Sequence, residues 1–309
     1  MAATVAVNIE GQKRVREQVL DFVSKIDPYG ERVITTSIGR RDVESTKPEW
    51  TKQALEAPSA NNTNVHSFAT TFALADFTAR TEEYNYTQLM DKTVSVDLSH
   101  ESVNVAGVPK GGELVVQKEL KLNALLNDHE AAIISANTRV QPLPESNQAG
   151  KLAGMQAFIL TNAIAVGAGD FPERELSPEA YDSLAAKCKK KGGSPNKVFC
   201  GIGSKRAIAG WVTQVNRPVS DQGKKLMKVV NQYETVAGMQ DIVLSLNLTT
   251  VLLMIETDRF ESGWLREPKW HPYPDGVGDY HGGAYKLEST LISLAEESSG
   301  KITNLNYAE

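Results

Sequence analysis

Cysteine is nearly missing from this chain, with Cys188 and Cys200 the only two in 309 residues. Two thiols build neither a disulfide framework nor a four-cysteine zinc site, so reduced thiols in a cytoplasmic setting are expected. Aromatic residues are sparse at 7%, which leaves Val, Leu, Ile and Ala to fill the core. A basic surplus is lacking too, since 33 Lys plus Arg stand against 38 Asp plus Glu, a net charge of -5. Broad binding to polyphosphate draws its affinity from cations that displace counterions, and this balance does not favour it. Such a chain can still lie beside DNA without sticking to it. No apolar run reaches the ~20 residues that span a bilayer. The opening stretch MAATVAVNIEGQKRVREQ has no long apolar core behind a basic start, so neither a signal peptide nor a membrane partner is expected. No internal repeat, low-complexity tract or flexible linker stands out.

What is present suits a folded protein of about two domains, or one large domain with an elaboration. Residues 9–26 read as an amphipathic helix, with Val15, Val19, Phe22, Val23 and Ile26 at spacings of three and four. Asp27-Pro28-Tyr29-Gly30 ends it as a turn. Between 44 and 100 the pattern changes to β. HSFATTFALADF alternates, and KTVSVDL puts Val94, Val96 and Leu98 on one face. The polar stretch EAPSANNTNVH separates such strands without an apolar anchor, as in an arm that projects from a body. Residues 111–136 then predict one helix of roughly 39 Å, with Val115, Leu122, Leu126 and Ile133 along its apolar stripe. Downstream, Ser177, Pro178 and Gly192 bracket a helix as cap, first residue and stop. PNKVFCGIGSKRAIAGWVTQV reads strand, glycine turn, helix. DIVLSLNLTTVLLMIET reads as two strands around a turn at 247–250, and AYKLESTLISL and KITNL close the chain as strands.

Four stretches invite a chemical reading. HEAAI at 129–133 is one residue short of HExxH, but Ile133 cannot ligate a metal, and Asp128, His129 and Glu130 fan out by about 100° per residue. These three are expected to face solvent or a neighbour. FCGIGSKRAI resembles a phosphate loop, yet it has neither the spacing nor the final hydroxyl of GxxxxGK[ST]. A structural turn capped by Ser204 and followed by Lys205 fits better. KCKKKGG clusters Lys187, Lys189, Lys190 and Lys191 at a helix end, where cations complement the dipole. Cys188 among them would be a reactive thiol if the lysines lowered its pKa. His271 and His281, with Asp275 and Asp279, form the best remaining metal set, in a Gly- and Pro-rich segment that reads as an irregular ordered loop. None of these reaches the specificity of a site, so no catalytic, cofactor-binding or metal-binding residue is assigned, and no cofactor is expected.

The order of the parts says more than any motif. KPEWTKQAL, YNYTQLMDKTVSVDLSHESV and the long helix ending in NDHEAAIISANT are followed by KGGSPNKVFCGIGSKRAI, NQYETVAGMQDIVLSLN, GWLREPKW and GDYHGGAYKLESTLISLAEESSGKITNL. From about residue 45 to the end this succession resembles the major capsid (major head) proteins of tailed bacteriophages. The resemblance implies the Hong Kong 97-like fold, of class α+β. It divides the chain into an N-terminal arm (1–43), an extended β loop (44–100), a peripheral domain (101–169) with the spine helix at 111–136, an axial domain (170–255), and a return to the peripheral domain (256–309). It implies a structural protein rather than an enzyme. Copies of the chain would assemble as hexamers and pentamers into an icosahedral head around double-stranded DNA, in the cytoplasm of a bacterial host. Scaffold, portal and decoration proteins are the further partners such a shell can have. An encapsulin-like nanocompartment shell shares the fold and is the alternative. The rival of another class is a cytoplasmic enzyme with a site assembled in space around Cys188 or His271.

Overall fold

The structure is a computed structural model that describes residues 26–55, 79–103, 108, 112–167, 169–211, 230–274 and 278–307. The predicted helix at 9–26, except Ile26, and the whole strand HSFATTFALADF (66–77) lie outside the described residues, as do Val212, Val215 and Asp275.

In chain order, Asp27 Oδ1 accepts the Tyr29 N–H at 3.1 Å and closes the expected turn. Strand β1 (Gly39–Asp42) follows, then β2 (Glu49–Lys52) and β3 (Thr81–Tyr84), which pair antiparallel. Strand β4 (Gln88–Asp97) runs into a short helix, α1 (Leu98–Ser102). The long helix α2 covers Glu113–Ile134, and α3 (Met155–Phe158) and β5 (Ala163–Ala165) follow it. Helix α4 (Pro178–Lys190), β6 (Lys197–Cys200) and α5 (Ile202–Trp211) come next. The remainder is mostly strand: β7 (Gln232–Thr235), β8 (Gly238–Leu244), β9 (Leu252–Ile255), β10 (Phe260–Pro272), β11 (Tyr280–Ser293) and β12 (Gly300–Thr303).

Two sheets organise the body. One has the order β1-β10-β11-β4, with β1 parallel to β10 and the other pairs antiparallel. The other has the order β5-β12-β9-β6-β8-β7. Its central strand, β6, buries Val198, Phe199 and Cys200, as a strand covered on both faces must. Alternation sends Val198 and Cys200, with Leu252 and Met254, into a core under α4 and α5. Phe199, Leu253 and Ile255 point the other way, into a second core with Ile133 of α2, Phe260 of β10 and Leu291 of β11. The six-stranded sheet therefore stands between two cores and joins the two halves of the fold.

Several expectations change in detail. Helix α2 is 22 residues long, roughly 33 Å, rather than 26. Ser135 leaves the helical region and turns the chain, and any side chain at Gly154 would overlap it. The buried stripe of α2 runs through Leu125, His129 and Ile133, whereas Val115 is 67% exposed. KTVSVDL alternates as predicted, with Val94 and Val96 buried, but it pairs along its length with β11 in the body's sheet. Strands β8 and β9 are not a hairpin, because β6 lies between them, parallel to β8 and antiparallel to β9. The closing strands β11 and β12 go to different sheets. The segment read as an irregular loop around His271 and His281 is largely the end of the β10–β11 hairpin, whose pairing extends to Pro272 opposite Gly283.

Candidate assembly surface

No residue of the β2–β3 ribbon is fully buried, and its root shows how it is held. Two-stranded ribbons are marginal alone in water. Here the Trp50 ring lies 6.1 Å from Phe158 of α3. Arg139 donates to Glu83 at 2.9 Å and to the Tyr84 carbonyl at 2.6 Å, with its guanidinium 3.9 Å from the Tyr84 ring centroid. Where the ribbon re-enters the body, Asn85 is fully buried. Its Nδ2 donates to the carbonyls of Ala153 (3.2 Å) and Leu291 (2.8 Å), and its Oδ1 accepts the Ala153 N–H at 2.9 Å. Thr87 then donates to Glu288, which also accepts from Nε and Nη2 of Arg266. Beyond this root the outer residues lack cover, and Leu55 is 98% exposed. The same holds for Val115 on α2 and for Val236 and Met239 at the β7–β8 turn, at 75% and 61% exposed. Among the described residues β2 and β3 pair only with each other as strands, and edge strands of this kind offer a template for another chain.

The base of the segment before β1 is fixed with equal care. Glu130 on α2 accepts the N–H groups of Ile34 (3.3 Å) and Thr35 (3.4 Å) and the Thr35 hydroxyl at 2.8 Å. Asp128, Glu130's neighbour on the exposed side, pairs with Lys92 of β4 at 2.6 Å.

Of Asp128, His129 and Glu130, only Asp128 is exposed; His129 and Glu130 are each 2% exposed. His129 is buried because Trp264 of β10 receives its ring at 4.6 Å between centroids. Desolvation lowers the imidazole pKa to about 4, and Glu130 is buried because backbone donors meet it. In GIGSKR, Ser204 lies inside α5 and is buried, not at its cap. The glycines there answer to close approach, since a side chain at Gly201 would overlap the Leu248 carbonyl and one at Gly203 the Tyr307 ring. Helix α4 follows its signals, with Ser177 Oγ accepting from Ala180 N at 3.2 Å, Pro178 in the first turn and Gly192 at φ +87°. Cys188 faces the core, away from the lysines, and burial pushes its thiol up to about 12, as it does Cys200. That is the reverse of an activated thiol. His271 pairs with Ala284 and His281 with Val96 on different rungs, and Asp275 lies outside the described residues. Among the described residues no group of three or more His, Cys, Asp or Glu is placed to hold a metal ion, and no helix is long and apolar enough to cross a membrane. A cleft of about 480 Å³ lined by Arg174, Thr250 and Asn304 brings no nucleophile to a base.

A surface of clamped but uncovered ribbon and exposed apolar residues suits a subunit that is completed by other chains. The SU10 major capsid protein family model matches residues 3–306. The chain belongs to the SU10 major capsid protein family. This is a family of structural shell proteins, not of enzymes, whose members form the capsid of the virion. Solved structures agree on the fold across almost the full length. The structure of Microbacterium phage Oxtober96 matches at a TM-score of 0.62 and 12% identity, covering 94% of this chain and 95% of that one. Phage G major capsid proteins, solved with decoration proteins, match at 0.60 and 8% identity, covering 99% and 100%. The SrpI encapsulin of Synechococcus elongatus PCC 7942 matches at 0.62 and 9%, covering 95% of each chain. The chain therefore has the Hong Kong 97-like capsid fold, of class α+β. No curated protein sequence matches it.

Asn85, Arg139 and Glu130, the residues that hold the ribbon and the chain before β1, had no signal in the sequence. Their partners lie 55 to 206 positions away, and no local spacing encodes that.

Proposed function

We propose that this protein is the major head subunit of a tailed bacteriophage, whose copies form hexamers and pentamers of an icosahedral shell around double-stranded DNA. The family match over residues 3–306 carries this reading. In it, residues 1–43 are an arm that reaches a neighbouring copy. Residues 44–100 are an extended loop with its last strand, β4, held in the sheet of its own subunit. Residues 101–169 and 256–309 make the peripheral domain, with α2 as its spine. Residues 170–255 make the axial domain that meets its copies around the symmetry centres. The function needs no reaction, only many weak contacts repeated by symmetry. Assembly takes place in the host cytoplasm, with scaffold, portal and decoration proteins as further partners. The slightly acidic balance of the chain suits a container whose DNA must slide in and out.

Electron microscopy of the purified full chain tests this. Shells, capsomers or tubes are expected, with nuclease-protected DNA in native particles. A chain that stays a 33.7 kDa monomer at high concentration overturns the shell reading. Particles filled with protein cargo instead of nucleic acid favour the encapsulin reading, which rests on the shared fold of the SrpI structure.

A further inference from the structure

Among the described residues, several charged side chains on and beside the strands find an ionic partner within the chain. Arg40 pairs with Glu267, Arg41 with Glu261, Lys92 with Asp128, Arg139 with Glu83 and Arg266 with Glu288. Helix α4 and its approach differ. At the N-terminal end stand Asp170, Glu173, Glu175, Glu179 and Asp182, all exposed, with only Arg174 among them. At the C-terminal end stand Lys187, Lys189, Lys190 and Lys191, also exposed, with no acid in residues 183–196. Among the described residues none of these charges takes part in an ion pair; Lys189 donates to Ser194 Oγ at 2.9 Å. Beside the basic end, Glu256 accepts the Ser194 N–H and faces Arg259.

The helix dipole explains part of this pattern, because it favours anions in the first turn and cations in the last. It does not reach Asp170, Glu173 or Glu175, which precede the helix. What results is one exposed rod, roughly 20 Å long for 13 residues, negative at one end and positive at the other. The buried face of α4 is fixed on the six-stranded sheet through Tyr181, Leu184 and Cys188, so the charged ends are held rigidly. Two different surfaces of opposite sign on one chain suit a head-to-tail contact, the heterologous kind that closes rings of copies.

We propose that the acidic approach to α4 in one copy docks on the lysine-rich end of α4 in the next copy around a ring, a salt-sensitive contact that sets the register of neighbouring subunits. The inference rests on the shell reading and goes beyond it by naming the contact and its chemistry.

Charge reversal in the full chain tests it. K187E/K189E/K190E/K191E and E173K/E175K/E179K/D182K should each lower the yield of assembled particles by at least about tenfold at moderate salt. The two sets combined should restore assembly. Helix-dipole complementarity alone makes the opposite forecast, with the combined variant the worst, since both ends then oppose the dipole. Thermal melts by circular dichroism establish that each variant folds, and the milder pair E179K and K190E, singly and together, repeats the comparison if a full set does not. Assembly rate of the parent should also fall between about 0.1 M and about 1 M salt, as screening shortens from ~10 to ~3 Å. Variants that assemble like the parent, or a combined variant no better than either half, overturn the contact and leave the shell reading standing. A parent chain that forms no assemblies removes the shell reading and the contact with it.

Discussion

Thr35 donates its hydroxyl to Glu130 at 2.8 Å, and the same buried carboxylate takes the N–H groups of Ile34 and Thr35. One side chain on the long helix thus satisfies the turn that leads into β1. Removing it leaves buried donors without acceptors. Glu130→Ala is expected to destabilise the subunit by about 2–4 kcal/mol, with Glu130→Gln losing about half as much. Denaturant unfolding of unassembled subunits measures both, and a loss under roughly 0.5 kcal/mol, the range of surface substitutions, contradicts the assignment.

His129 makes stability depend on pH. Burial holds its pKa at about 4, below the ordinary 6.5, so between those values the unfolded chain binds more protons than the folded one. The neutral imidazole's contribution is complete above pH 6.5 and is lost progressively as pH falls toward about 4. The loss amounts to about 3 kcal/mol at most. His129→Phe, which keeps the ring against Trp264, should flatten the slope of unfolding free energy over that window.

Asn85 acts as a strut between the ribbon and the body, using both ends of its amide. Asn85→Asp replaces two donor hydrogens with a buried charge facing carbonyls. A fall in thermal midpoint is expected, corresponding to at least about 2 kcal/mol, together with fewer assembled particles. Asn85→Asp particles that form and melt like the parent would sink this role.

Cys188 and Cys200 should resist thiol reagents. Both are buried, with thiols pushed up to about 12, and the thiolate is the reactive form. Labelling of the native subunit at pH 8 should be slow and become complete only in denaturant. Fast native labelling of Cys188 would revive an active thiol.

Close approach, not loop flexibility, explains the glycines of GIGSKR. Gly201→Ala forces a methyl group onto the Leu248 carbonyl and is expected to cost about 1–3 kcal/mol. Gly210→Ala, where a methyl group meets open space within α5, should be neutral or stabilising by up to about 1 kcal/mol. The difference in thermal midpoint between the two variants is the readout.

Local signals read well wherever their cause was local. Ser177, Pro178 and Gly192 bound α4 as their chemistry requires, and the alternation in KTVSVDL buried Val94 and Val96. HEAAI was legible only in part. Ile133 could be placed on the buried stripe from its spacing, but His129 and Glu130 look like helix surface until Trp264 and the 34–35 backbone arrive from 135 and 95 positions away. The strand β10 went unrecognised because its glycine, prolines and charges, in ESGWLREPKWHP, break the alternating pattern at the bulges between Trp264 and Lys269.

The sequence by itself determined the capped helix α4, the alternation of KTVSVDL and, through the order of its parts, the capsid family, whereas burial alone made the two cysteines inert. Those three depend on near neighbours along the chain or on linear succession. Only the tertiary structure decided which sheet each strand joins, that β6 separates β8 from β9, and that Asn85, Glu130 and Arg139 hold the projecting segments. Those outcomes come from hydrogen bonds and burial between residues far apart in the chain, and a buried polar group is stable only where such a partner completes it.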